Sequence, residues 1–251
     1  MRIARDACPN VGRNLFSLWS TDLRGYGVIG KACLTAAFAV SLMGATHGFA
    51  VAQPVSGGLC RPVQERTAEI GCWILGHISV GQFTTPAATW YLHTFKDRAS
   101  AEANKGPRGI VIEAFSKVWL FTAEETGWKG PGGGELHLVI GPLPVASATD
   151  YSAQFMEAAF TPGMASAAHV HSGPEAFYTL EGETCLETPA GVQVSQGGGP
   201  PVIIADGPMH LTATGTALRR GFVLILHRTG QPATTRIHDW VPKQLCKARQ
   251  P

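Results

Sequence analysis

Residues 163–182 read GMASAAHVHSGPEAFYTLEG and contain three side chains of metal-ligand type, His169, His171 and Glu175. On a β-strand, side chains two residues apart project from the same face, so the two imidazoles can converge on one ion. The Ser-Gly-Pro sequence at 172–174 is typical of a turn that returns the chain, and it lets Glu175 add an oxygen ligand. The stretch therefore predicts a metal site built on paired strands.

A third histidine, His210, follows farther along the chain. It comes directly after the turn-forming sequence Asp-Gly-Pro-Met at 206–209, which places it near the start of another strand. We expect the sheet to bring this strand alongside the first, so that His210 completes the ligand set. Three neutral nitrogens and one carboxylate suit one divalent transition metal, and Fe, Mn, Ni, Co, Cu and Zn are all chemically compatible.

The spacing of these residues resembles the two sequence motifs of the cupin superfamily. Every fixed position of the first motif is matched, by Gly163, His169, His171, Glu175 and Gly182. The second motif is matched at Gly199, Gly207 and His210, whereas Ala205 stands in place of a proline and Thr214 in place of an asparagine. The resemblance covers residues 153–228.

The resemblance implies both a fold class and a site. The fold would be mainly β, a cupin-type double-stranded β-helix or jelly-roll barrel with the metal inside. The metal ligands would be His169, His171, Glu175 and His210, with coordination positions left open for a substrate. By likeness to the dioxygenase members of the family, Glu175 would also be the catalytic group that takes a proton. A Glu175 that only ligates the metal is the alternative.

Three functions are compatible with such a site. The first is an exported metal-dependent oxidoreductase, dioxygenase-like, that acts on a small oxygenated organic molecule. The second is a non-catalytic module that binds or senses a small ligand, and the third is a metal-dependent isomerase or decarboxylase. The fold alone does not choose among them. Phe177 shares strand parity with Glu175 and is expected to line the pocket, while Tyr178 should face the other side of its sheet.

The rest of the chain predicts an N-terminal β-rich extension with one short helix. Short apolar runs separated by Gly and Pro begin at Gly71 and are typical of antiparallel strands. A helix is expected over 97–105, with Asp97 as N-cap and Gly106-Pro107 as its end. The predicted regions are 53–145, which is β-rich and could be a degenerate cupin half, a cupin domain at 146–230, and a tail at 231–251.

The N-terminal half also contains His77, His93, His137 and Glu113, each inside a predicted strand. This half has neither a His-x-His sequence nor the framing glycines of the motif. We therefore expect no second metal site there.

Residues 1–52 have the features of a signal peptide, although a start codon assigned too far upstream would explain the long segment before its apolar core. Lys31 is followed by an apolar run and then by the small-residue triplet Ala50-Val51-Ala52. The run is short for a membrane span, so we expect cleavage after Ala52, a periplasmic or secreted protein, and no stable membrane span afterwards. An uncleaved anchor is the alternative.

Four cysteines follow residue 52, and an oxidising compartment would allow them to pair in three ways. Cys60 with Cys72 closes the shortest loop, which would leave Cys185 with Cys246. The alternative is that Cys185 is a free buried thiol.

Composition excludes several classes of protein. The chain has 251 residues, 45% of them hydrophobic and 15% charged, which is unlike a disordered chain. Its formal net charge is +2, and residues 1–52 hold five basic and two acidic side chains, so the remainder holds 15 and 16. Such a balance does not predict nucleic-acid binding. The expected partner is a small-molecule substrate or ligand, and a homodimer through sheet edges is the default for the family.

Overall fold

The computed structural model describes residues 60–247, and these residues form fifteen strands, one α-helix and one short 3-10 helix. The strands are β1 Arg61–Pro62, β2 Gly71–Gly81, β3 Ala87–Phe95, β4 Gly109–Ala114, β5 Lys117–Glu125, β6 Glu135–Pro144, β7 Tyr151–Phe160, β8 His169–Val170, β9 Glu175–Glu181, β10 Glu183–Thr188, β11 Gly191–Gln196, β12 Val202–Ile204, β13 His210–Thr214, β14 Arg219–Arg228 and β15 Thr235–Arg236. The 3-10 helix is Val63–Glu65 and helix α1 is Arg98–Asn104. The predicted signal peptide lies outside the described residues.

The strands form four sheets within residues 60–247. The central sheet has the order β1-β2-β7-β14-β9-β12, and its pairings are antiparallel except that between β1 and β2. The N-terminal region supplies an antiparallel sheet of order β4-β5-β3-β6. On the opposite side lie β11-β10-β13 and the pair β15-β8, and an isolated bridge between His169 and Met209 connects β8 to the start of β13.

The central sheet is buried on both faces. Along β14, Phe222, Leu224 and Leu226 pack against the four-stranded sheet. The alternate residues, Val223 and Ile225, pack into a second core. Because successive side chains of a strand point to opposite faces, this strand must be apolar at nearly every position. The central sheet is therefore the middle of three layers.

The core between the central sheet and the four-stranded sheet is aromatic. Phe222 meets Trp119 and Phe121 edge-on, with ring centroids 5.1 and 4.8 Å apart. Trp90 contacts Phe121 at 5.2 Å and is fully buried. Such edge-to-face pairs add to the free energy gained by burial alone.

The second core lies between the central sheet and the sheet of β10 and β13. Its members include Met156, Phe177, Leu186, Leu211 and Val223. Two facing antiparallel sheets around one core make a jelly-roll type of β fold, with the sheet edges left open. The predicted fold class, mainly β with an N-terminal β-rich extension and one short helix, is confirmed. The N-terminal region also contributes β2 to the central sheet, through its pairing with β7.

Local signals of the sequence are also confirmed. Asp97 caps helix α1 by accepting a hydrogen bond of 2.7 Å from the Ser100 N–H. Disulfides join Cys60 to Cys72 and Cys185 to Cys246, so the free-thiol alternative for Cys185 is wrong. No helix within residues 60–247 is long and apolar enough to cross a membrane.

The C-terminal segment packs on the outer face of the β10–β13 sheet. Besides the disulfide to Cys246, the buried carboxylate of Glu187 accepts hydrogen bonds from the backbone N–H groups of Lys243 and Leu245. The chain's own tail therefore covers this face around Cys185 and Glu187.

Candidate metal centre

The candidate site lies in the second core, where a cavity of about 220 Å³ opens between the two sheets of the jelly roll. Most of its wall is apolar, with Ile74, Met156, Phe177, Leu211 and Val223 among the lining residues. Four ionisable residues also line the cavity: His169, His171, Glu175 and Arg219. A small apolar cavity with a few convergent polar groups is typical of a ligand site.

The side chains of His169, His171 and Glu175 form a compact group. One ligand atom from each lies within 4.8 Å of the other two. The Nε2 atom of His171 is 3.0 Å from Glu175 Oε2, and that of His169 is 4.0 Å from the same oxygen. Glu175 and His169 are buried. The structure thus brings these three predicted ligands together.

Hydrogen bonds fix the tautomers of both histidines. His169 Nδ1 lies 2.7 Å from the carbonyl oxygen of Ala167, and His171 Nδ1 lies 2.5 Å from that of Ala233. A carbonyl oxygen only accepts, so both Nδ1 atoms must carry the proton. The lone pair of each neutral ring then lies on Nε2, which faces Glu175. Histidines that ligate metals are commonly oriented by such a bond from the other ring nitrogen.

The turn after β8 holds this geometry against β14. A Cβ atom on Gly173 would lie 2.3 Å from the carbonyl oxygen of Leu226, so only glycine allows this approach. The Leu226 N–H donates to Pro174 O at 3.0 Å, and the Arg228 N–H donates to Ser172 Oγ at 2.9 Å. The Ser-Gly-Pro turn therefore places His171 and Glu175 at a fixed distance.

The pKa values of the two histidines are shifted in opposite directions. Burial lowers the pKa of His169 below its ordinary value, although the charge of Glu175 opposes this. Burial also disfavours charge on His171, but the charge and hydrogen bond of Glu175, together with the bond to Ala233, raise its pKa overall. Since Nδ1 of His171 is already a donor, its Nε2 and the Glu175 carboxylate need a cation between them. A proton meets this need, and so would a metal ion.

The donor set fits a divalent transition metal. Two imidazole nitrogens and one carboxylate oxygen are the ligands that Fe, Mn, Co, Ni, Cu and Zn accept in proteins. Orienting hydrogen bonds of this kind are typical of histidines that ligate metals. The residues therefore fit the group that the sequence implies.

His210 lies apart from this group. Met209 pairs with His169 across an isolated bridge, and Met209, Leu211 and Ala213 all pack into the inner core. His210 alternates with them, so its side chain is on the opposite face of β13, where Glu187 is its cross-strand partner. The expected fourth ligand thus faces away from the cavity, and the physical reason is a difference of one residue in strand parity.

The remaining N-terminal histidines are dispersed. His93 contacts Trp128 and His137 contacts Tyr178, and Glu113 forms an ion pair with Arg98. Within residues 60–247, the group of His169, His171 and Glu175 is the one cluster with metal-ligand geometry.

His77 is the exception, because it contacts His227, whose pKa is affected by the charge of His171 in the candidate site. Its Nε2 is 2.7 Å from His227 Nε2, and the two rings stack across β7. Burial, followed by the charges of His77 and His171, lowers the pKa of His227. The parity of His227 with Val223 and Ile225 could have identified it from the sequence.

The two aromatic residues after Glu175 lie as predicted. Phe177 lines the cavity, and Tyr178 belongs to the core on the other side of the sheet. Arg219 is the cavity residue that sequence reasoning missed. Its inward parity with Val223 depends on β14 beginning as early as Arg219, which the sequence pattern does not indicate.

No protein-family model matches the sequence, and no curated protein matches it. Among solved structures, a cupin-like protein from Thermotoga maritima is 15% identical; the match covers 34% of this chain and 64% of that chain, with a TM-score of 0.30. A cupin domain from Bordetella pertussis is 21% identical, with 36% of this chain and 93% of that chain covered and a TM-score of 0.25. A cupin-2 domain protein from Shewanella frigidimarina is 20% identical over 32% of this chain and 74% of that chain, with a TM-score of 0.25. Each of these three solved structures is described as a cupin or cupin-2 protein.

Proposed function

We propose that this protein is an exported cupin-type metalloprotein that binds one divalent transition metal through His169, His171 and Glu175. The observation that carries the proposal is the convergence of two Nε2 lone pairs on a carboxylate, while both Nδ1 atoms donate to backbone carbonyls. Without a cation, the Nε2 of His171 and Glu175 Oε2 would repel each other at 3.0 Å. Both disulfides favour a periplasmic or secreted location.

The activity that we propose is oxidation of a small oxygenated organic molecule, as in a dioxygenase-like oxidoreductase. When bound, a divalent metal would supply open positions at which a substrate oxygen is polarised. The chain itself would contribute three things. Its apolar wall excludes water, its histidines keep their Nε2 atoms directed into the cavity, and the Oε2 atom of Glu175 accepts a proton from the substrate.

Metal analysis of the full chain tests the first part of the proposal. We expect about one equivalent of a first-row transition metal after purification without chelators, and a loss of that metal in His171→Ala. His137→Ala is the matched control, because this histidine lies on the other side of the central sheet. Equal metal content in both variants would refute the assignment.

Oxygen uptake by the metal-loaded protein tests the second part. A panel of enediols, flavonols and catechols covers small oxygenated molecules that chelate metals. Oxygen consumption that disappears in Glu175→Gln is the expected result. If the protein binds metal but consumes no oxygen with any of them, the binding or sensing module becomes the correct function.

A further inference from the structure

Arg219 is a fully buried cation whose charge has no paired carboxylate. Its exposed fraction is 0%, and it forms no salt bridge within residues 60–247. Nε donates to Thr184 Oγ1 at 2.8 Å and Nη1 donates to the carbonyl oxygen of Ala158 at 3.4 Å. Both acceptors are neutral. Nη2 has no hydrogen-bond partner among the described residues.

The guanidinium group extends into the cavity of the candidate metal centre. Arg219 lines this cavity together with His169, His171 and Glu175. Its Nη2 lies 3.1 Å from the position that a Cβ atom on Gly221 would occupy, so the side chain runs along the inner face of β14 towards Val223. The absence of a side chain on Gly221 leaves room for it.

Electrostatics keep this group charged. Burial lowers the pKa of Arg219 to about 10, and the carboxylate of Glu175 opposes the shift. The side chain is therefore a cation at neutral pH. A buried cation without a counterion is costly, and buried charges in proteins are normally paired, so a bound anion would relieve this cost.

The hydrogen bond to Thr184 fixes the orientation of the Arg219 guanidinium group. Thr184 Oγ1 holds Arg219 Nε and is itself 2.8 Å from Thr179 Oγ1. Thr179 and Thr184 are both fully buried. The side chain is thus pre-organised, and the donors that remain free are those that a planar carboxylate accepts in pairs.

We infer that Arg219 is the specificity-determining residue for a carboxylate, so that the cavity binds a small organic acid whose carboxylate contacts the guanidinium. The apolar wall, which includes Ile74, Met156 and Phe177, would hold the carbon skeleton. The identity of this acid as the substrate rests on the proposed function, in which its opposite end would meet the metal. The carboxylate subsite itself rests on Arg219 alone.

The charge of the loaded site agrees with this class of ligand. Arg219 and Glu175 carry opposite charges without forming an ion pair, so their formal sum is zero and a bound divalent cation would leave two surplus positive charges in an apolar cavity. A monocarboxylate that also presents an ionised oxygen to the cation would balance them. A neutral ligand of the same shape would not.

Butyrate and its neutral isostere butyramide provide the test. Their affinities for the metal-free full chain are measured by calorimetry or NMR titration, which removes any direct competition for the metal. We expect butyrate to bind about tenfold or more tightly than butyramide, and Arg219→Gln to abolish this preference. Arg220→Gln is the matched control, because Arg220 forms ion pairs with Glu69 and Glu181 outside the cavity.

Two further measurements make the result decisive. The side-chain Nε–H resonance of Arg219 in the wild-type chain should shift on addition of butyrate, which tests the subsite even if Arg219→Gln fails to fold. Equal binding of both probes by the wild-type chain, or a preference that survives in folded Arg219→Gln, would overturn the inference.

A parallel zinc titration separates this inference from the proposed function. Zinc binding should be equal in the wild-type chain and in Arg219→Gln. A preference for butyrate without zinc binding would refute the metal proposal and retain the carboxylate subsite. Zinc binding without a preference for butyrate would retain the metal proposal and refute the carboxylate subsite.

Discussion

The two faces of the central sheet differ in how completely they are filled. On the face towards β3 and β5, aromatic rings such as Trp119, Phe121 and Phe222 pack edge to face. On the other face, the same strands carry Glu175 and Arg219 beside an open cavity. Alternate positions of one strand therefore contribute to the packed core and to the candidate site separately. A substitution on the packed face should lower stability and leave metal affinity unchanged, and a substitution on the cavity face should do the opposite.

The largest effect on stability is expected on the packed face. Phe222→Ala removes a ring that contacts Phe115, Trp119 and Phe121. Loss of a buried phenyl group with partial relaxation should lower the free energy of unfolding by about 3–5 kcal/mol, as measured by urea denaturation. Metal affinity of the folded variant should change less than about threefold. A comparable loss of metal affinity would contradict the separation of the two faces.

Two substitutions in β9 compare the faces within one strand. Glu175→Gln should weaken metal binding by about 100-fold or more, because it removes a charged ligand, whereas loss of an outer-shell partner costs 10–100-fold. Tyr178→Phe removes the 2.9 Å hydrogen bond to His137 on the other face and should cost about 0.5–1.5 kcal/mol of stability. Metal titration and urea denaturation of both variants check this; any fall in metal affinity for Tyr178→Phe would be unexpected.

The pH dependence of stability should differ between a histidine in the N-terminal sheet, His93, and one in the candidate site, His171. Burial lowers the pKa of His93, which lies on the outer side of β3 and whose Nδ1 has no partner among the described residues. The unfolded chain then binds the proton more readily, so this contribution to stability is present above a pH of about 6.5 and is lost as the pH falls. His93→Gln should flatten the loss of Tm between about pH 7 and pH 5. An unchanged slope would show that His93 does not carry the effect.

In the metal-free chain, His171 should behave in the opposite way. Its raised pKa makes its contribution to stability present at low pH and lost as the pH rises through the folded-state value. Glu175→Gln removes the charge that raises this pKa, so the variant should lose less stability than the wild-type chain on alkalinisation from about pH 6 to pH 8. Thermal unfolding in the presence of a chelator measures both slopes, and parallel profiles would contradict the prediction.

The smallest effect is expected for His210. Because it alternates with the inward-facing Met209 and Leu211, His210→Gln should change metal affinity by less than about threefold. A loss as large as that in Glu175→Gln would instead show that His210 ligates the metal, as its place in the sequence motif implies.

Local signals made much of the site predictable. His169, His171 and Glu175 are close in sequence, so strand periodicity and one turn suffice to bring them together. The cap of helix α1 was predictable for the same reason, since Asp97 and Ser100 are three residues apart. Both disulfides were expected, although the sequence left three connectivities open.

Long-range register explains what could not be predicted. Whether His210 faces the cavity depends on its parity relative to Met209, and a shift of one residue reverses the face. The role of Arg219 depends on burial by β7 and β10, which the sequence around it does not reveal. The pairing of β2 with β7 is likewise a contact between distant segments.

The burial of the central sheet on both sides has a consequence for how this fold tolerates insertions. In a sheet with one solvent-exposed face, a strand that shifts its register by one residue exposes apolar side chains to solvent. Here a shift of β9 by one residue would move each of its side chains from one core to the other. Tyr178 would then enter the cavity, and Glu175 would enter the aromatic core that contains Trp90 and Trp119. Length changes should therefore be confined to the loops, and the strands that bear the ligands should keep their residue count.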